Sequence, residues 1–186
     1  MTNPAGFYKD YNYNFLTQNQ VDAIDQSLPM PAGQNISQNI DTGSVIKYAS
    51  VTLTPNQILH IRATPVTIVQ APGAGYAIQY LDALLALNYN NATPVAYTIA
   101  NATDYLNFRY NNGTGVIVSD NITPTGFLDQ TASTYTSSRA KVDGIVTSLA
   151  ANNGSLVLHN SGAAEYTLGN SPITVKVAYI VHYVGF

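Results

Sequence analysis

Three histidines (His60, His159 and His182), one glutamate (Glu165) and nine scattered aspartates are the acid–base and metal-binding groups of this 186-residue sequence. A metal centre or an acid–base pair needs several such groups close together, usually at a recognisable spacing. Each histidine instead lies in an apolar or β-branched run, and no carboxylate stands at ligand distance along the chain. There is no cysteine, hence no thiolate nucleophile, Cys-type zinc site or disulfide framework. No Gly-x-Ser-x-Gly elbow is present. The segment "APGAG", Ala71 to Gly75, has the glycines of a phosphate loop but neither its Lys-Ser/Thr ending nor a helix to follow. The expectation is a protein with no catalytic residues, no metal and no cofactor.

The elements around these residues read as a β-rich scaffold. Only 9% of the residues are charged, against roughly 25% in ordinary soluble proteins. Hydrophobic residues are a normal 46%, so Asn, Thr, Ser, Gln, Gly and Tyr replace the charges. A net charge of −3 with seven dispersed Lys and Arg argues against a nucleic-acid partner. No apolar run reaches the ~18 residues that cross a bilayer, so no membrane is expected. The opening "MTNPAGFYKDYNYNF" lacks the basic and apolar regions of a signal peptide, and synthesis and folding in a cytoplasm are expected.

Residues 1–43 form a polar segment rich in Asn and Gln, with an aromatic cluster at Phe7, Tyr8, Tyr11, Tyr13 and Phe15. One short helix is predicted from Gln18 to Leu28, placing Val21, Ile24 and Leu28 on one face and ending at Pro29 and Pro31. Too polar to fold alone yet studded with aromatics, this segment is expected to be an extended arm that orders against a partner. Residues 44–186 are predicted to form one antiparallel, jelly-roll-like β-sandwich. Its strands are "SVIKYASVTLT", "ILHIR", "PVTIVQ", "YAIQYLDALLALNY", "DYLNFRY", "VIVS", "SLVLHN" and "ITVKVAYIVHYV". "YAIQYLDALLALNY" is expected to be buried on both faces or to bend across two sheets. "NNGTG" is predicted to be a hairpin turn, since Asn-Gly accepts positive φ. The 123–151 stretch is read as a helical turn near Phe127 and Leu128, then a polar loop or second short helix.

The closing run places Ile173, Val175, Val177, Tyr179, Val181 and Tyr183 on one face, and Lys176, Ala178, Ile180 and His182 on the other. Such a strand is too apolar for an open edge. It is expected in the centre of a sheet or against a neighbouring subunit, with Tyr179, Ile180 and His182 as interface residues.

The sequence as a whole resembles the small virion proteins of tailed bacteriophages, usually encoded among head genes. The resemblance is carried by "TPVTIVQAPGAG" leading into a long apolar strand, the hairpin "YTIANATDYLNFRYNNGTG", "GFLDQTAS", "LVLHNSGAA" and the closing "ITVKVAYIV". These occur in the family's order over about Gln57 to Val184. "NSPITVKV" stands where the family often has a Gly-Gly-Asp turn. What the resemblance implies is a non-enzymatic β-sandwich of the virion, assembled in a host bacterial cytoplasm. The leading expectation is a capsid decoration or cement protein on the outer capsid surface. Its partners would be the major capsid protein and copies of itself, a trimer before a dimer. The alternative is a head-fibre or tail-associated adhesin that binds host glycans.

Overall fold

The computed structural model describes residues 45–90, 92–141 and 153–184. The arm residues Phe7 to Leu28 and the predicted helix lie outside the described residues.

Among the described residues, nine strands and one short helix follow in order: β1 Lys47–Leu53, α1 Pro55–Leu59, β2 Val66–Val69, β3 Tyr76–Leu87, β4 Tyr97–Thr98, β5 Leu106–Tyr110, β6 Thr134–Arg139, β7 Leu156–Asn160, β8 Thr167–Leu168 and β9 Ile173–Tyr183. One sheet has the order β1-β9-β3-β6 and a second β2-β7-β5, while β4 and β8 form a small ribbon. All paired strands are antiparallel. The predicted all-β sandwich is therefore what the chain forms.

Segment 116–122 returns along β5 through the bridges Arg109–Ile117 and Leu106–Ile122, and Ser119 bridges on to Ala140 beyond β6. If it counts as a strand and the two-residue β4 and β8 are omitted, the sheets read first-eighth-third-sixth and second-seventh-fourth-fifth. That is the double Greek-key winding of a jelly roll.

Strand alternation sets the core. Ile173, Val175 and Val177 of β9 face inward beside Leu53 and Val51 of β1 and Leu87, Leu85 and Ala83 of β3. The facing sheet contributes Ile68, Leu106, Phe108 and Leu158, and the rings of Tyr80 and Phe108 stack across the interface at 4.9 Å. Tyrosines are admitted to this core because each hydroxyl finds a carbonyl: Tyr80 donates to Ser138 O at 3.1 Å, Tyr97 to Ser171 O at 2.6 Å, and Tyr110 to Ile78 O. Burial raises the pKa of all three.

β3 is not buried on both faces. It alternates, and its inward set changes parity from Ile78 and Tyr80 to Ala83, Leu85 and Leu87. A bulge between Tyr80 and Asp82 leaves Leu81 without a partner on β9, so apolar residues stay on the core side along all 12 residues. The strand buried on both faces is β7, "LVLHN".

Two further expectations are corrected. "ILHIR" is not a strand: Thr54 and Gln57 close a capping box around α1, Pro55 occupies its first turn, and Ile58 is buried. The 123–151 stretch, read after its helical turn as a polar loop or second short helix, contains β6, an edge strand whose inward Thr134, Thr136 and Ser138 are polar and so hide its alternation. The helical turn near Phe127 is present, with Leu128 N donating to Pro124 O at 2.8 Å.

Candidate functional site

The motifs that first draw attention turn out to hold the scaffold together. Gly73 and Gly75 of "APGAG" take φ values of 111° and 80°, which glycine adopts without a steric cost. Gly75 also lies under the ring of Tyr183, and Val184 N donates to its carbonyl at 2.8 Å. Tyr183 packs edge-on against Tyr76 at 5.3 Å. In "LVLHNSGAA", Asn160 Oδ1 accepts from Gly162 N, and its amide donates to Ala164 O. That turn receives the buried Asp104, whose carboxylate accepts from Ala163 N at 3.0 Å and Asn101 N at 3.0 Å. A Cβ on Gly162 would stand 2.0 Å from Asp104 Oδ1, so the glycine is there for close approach.

The histidines lie far apart in character. His60 follows α1 and its Nδ1 lies 2.8 Å from Asn56 O. It borders an open cleft of about 710 Å³ with Asn56, Gln57, Thr64, Pro65, Val66 and Thr67, none of them charged. His182 is on the outer face of the four-stranded sheet, its Nε2 2.7 Å from Gln79 Oε1. His159, on β7, is only 8% exposed. Among the described residues no group of three His, Asp or Glu could hold a metal ion.

Two surfaces stand out. The first is the outer face of the four-stranded sheet. Register places Tyr48, Ala178, Asp82 and Arg139 in one row, Ser50, Lys176, Leu84 and Ser137 in the next, and Thr52, Thr174, Ala86 and Tyr135 in a third. Tyr48 is 79% exposed, Tyr135 76% and Leu84 42%. The charges of Asp82 and Arg139 oppose each other, leaving Lys176. β9 lies between β1 and β3, at the centre of this sheet, as its apolar length requires. Of the three residues singled out on it, Tyr179 packs against the core, whereas Ile180 and His182 belong to the outer face.

The second surface is a cleft of about 550 Å³ lined by Arg62, Ala63, Pro65, Arg109, Asn112, Gly113, Thr114, His159, Ser161 and Gly162. Sequence reading missed it because its residues come from three separated segments. Arg109 is held by two bonds, Nε to Asn107 Oδ1 at 2.8 Å and Nη1 to Gly113 O at 2.6 Å. Arg62 Nε donates to Gly162 O at 2.7 Å. Glu165 uses its two carboxylate oxygens on the backbone N–H groups of Arg62 and Ala63. His159 Nδ1 is buried and makes no hydrogen bond of regular geometry. Its pKa is lowered chiefly by burial and then by the Arg109 guanidinium, with Arg62 adding a smaller push. The Arg62 backbone and Glu165 oppose the shift.

The positive φ expected of the Asn-Gly turn falls on Asn111, at 64°, and in Asn152-Asn153-Gly154 it falls on Asn153, at 56°. Gly113 instead allows contact: a Cβ there would lie 2.6 Å from His159 Nε2.

No family model matches the chain, and no curated protein matches it. Among solved structures the chain is similar to one in the capsid of Ralstonia phage GP4, at 14% identity and a TM-score of 0.40, covering 82% of this chain and 88% of that one. It is also similar to a chain of the cyanophage Pam1 capsid asymmetric unit, at 16% identity and a TM-score of 0.39, covering 83% and 94%.

Proposed function

We propose that the protein is a non-enzymatic structural component of a tailed-phage virion, a decoration or cement protein seated on the outer capsid surface. The observation that carries this reading is the outer face of the four-stranded sheet. It is nearly charge-balanced and presents Tyr48, Leu84 and Tyr135 to solvent from four paired strands. Exposed aromatic side chains on a hydrogen-bonded sheet lose little conformational entropy on docking and suit a broad contact. The order of motifs from Gln57 to Val184 supports the same reading. The arm, with Phe7, Tyr8, Tyr11, Tyr13, Phe15, Val21, Ile24 and Leu28, extends the contact to the major capsid protein. On β9, Ile180 and His182, but not the inward Tyr179, contribute to contacts between copies, a trimer being favoured.

Decoration of shells purified without the protein tests this. The double variant Tyr48→Asp/Tyr135→Asp should keep the wild-type melting temperature and lose attachment to particles. A chain lacking Met1 to Asp41 should stay soluble and folded but fail to decorate. Normal decoration by both variants would contradict the proposal.

A further inference from the structure

The cleft between the 111–115 turn, β7 and the 60–65 segment has a chemistry that the shell role leaves unused. Its lining carries two guanidinium groups, Arg62 and Arg109, and no carboxylate; Glu165 spends its oxygens on the Arg62 and Ala63 N–H groups, and the buried Asp104 spends its own on Ala163 and Asn101. His159, disfavoured as a cation by burial and by both arginines, adds no charge at neutral pH. Two guanidinium groups in a lining without a carboxylate favour an anionic ligand.

The hydrogen-bonding groups narrow the ligand further. Thr114 Oγ1 donates its proton to Asn112 Oδ1 at 2.8 Å, and Ser161 Oγ donates to Tyr105 O at 3.1 Å. Both hydroxyls are thereby left as acceptors toward the cleft, and they favour a ligand that brings its own hydroxyl donors. The guanidinium of Arg62 is anchored through Nε alone, which leaves its Nη edge for a carboxylate. Arg109 is fixed by two bonds and so is pre-positioned. The buried His159 Nδ1 makes no hydrogen bond of regular geometry, although the Arg62 backbone acts on the ring.

We propose that this cleft binds a carboxylate-bearing sugar of the uronate class, the carboxylate between Arg62 and Arg109 and the ring hydroxyls on Thr114, Ser161 and Asn112. The proposal stands independently of the shell role: it rests on the other sheet's side of the molecule and is read out on the isolated protein.

The test is a titration of the full chain with sodium glucuronate, followed by amide chemical shifts and calorimetry at constant ionic strength. Saturable binding is expected, with shifts at Gly113, Thr114 and Gly162, and with at least tenfold weaker binding in Arg62→Gln. Thr114→Ala serves as a second variant, expected to weaken binding with the melting temperature unchanged. Acetate should compete weakly and glucose should not bind. Absence of saturable binding by glucuronate would overturn the proposal. So would acetate binding as tightly as glucuronate, phosphate binding more tightly, or glucose binding equally well.

Discussion

Burial and two guanidinium groups act on His159 in the same direction, against its protonated form. An imidazole free in the unfolded chain titrates near 6.5, so on acidification the unfolded state takes up the proton first. The contribution of His159 to stability is therefore complete above that pH and is lost progressively as the pH falls below it. His159→Gln should flatten the pH dependence of the melting temperature between about pH 7 and 5. An unchanged slope would remove His159 as the source. The neighbouring Gly113 gives a second expectation. A methyl group there must displace either the His159 ring or the turn that Arg109 holds. Gly113→Ala should therefore lower stability by about 1–3 kcal/mol, the usual cost of overpacking. A denaturation midpoint equal to wild type would show that the ring moves away freely.

At the scale of elements, the bulge at Leu81 makes the sharpest claim. Leu81 is the extra residue, so deleting it should leave a regular β3 with Ile78, Tyr80, Ala83, Leu85 and Leu87 still on the core face. The deletion should cost little beyond the bond from Ala140 N to Leu81 O, about 1 kcal/mol. A chain without Leu81 that failed to fold would contradict the assigned register. A second change, Thr54→Ala, should remove the capping box of α1 and cost about 1 kcal/mol, measured by urea denaturation.

These elements also show what a sequence discloses. β1, β2, β5, β7 and β9 were legible because their apolar residues alternate or run together. β6 was not, since an edge strand with inward Thr and Ser has no hydrophobic period. α1 was misread through its Ile and Leu, although the spacing of Thr54, Pro55 and Gln57 carried a helix start. The bulge could not be read, because "YAIQYLDALLALNY" is apolar on both sides of it. Nor could the cleft be read, since Arg62, Arg109 and His159 meet only through the crossing of three distant segments.

For the whole molecule, a jelly-roll sandwich supports either a shell contact or a sugar site, and the fold by itself chooses neither. The proposal places the shell contact on the outer sheet face and the arm. If copies also join through Ile180 and His182, light scattering should find an oligomer, reduced by Ile180→Asp, whereas a monomer at micromolar concentration would remove that part of the account. The central claim is the place of the protein on a particle. The measurement that meets it most directly is a reconstruction of the purified particle with the copies of this chain located and counted. The account predicts many copies spread over the outer capsid surface, with Tyr48 and Tyr135 against the major capsid protein. A few copies confined to a fibre or the tail, or none at all, would contradict it.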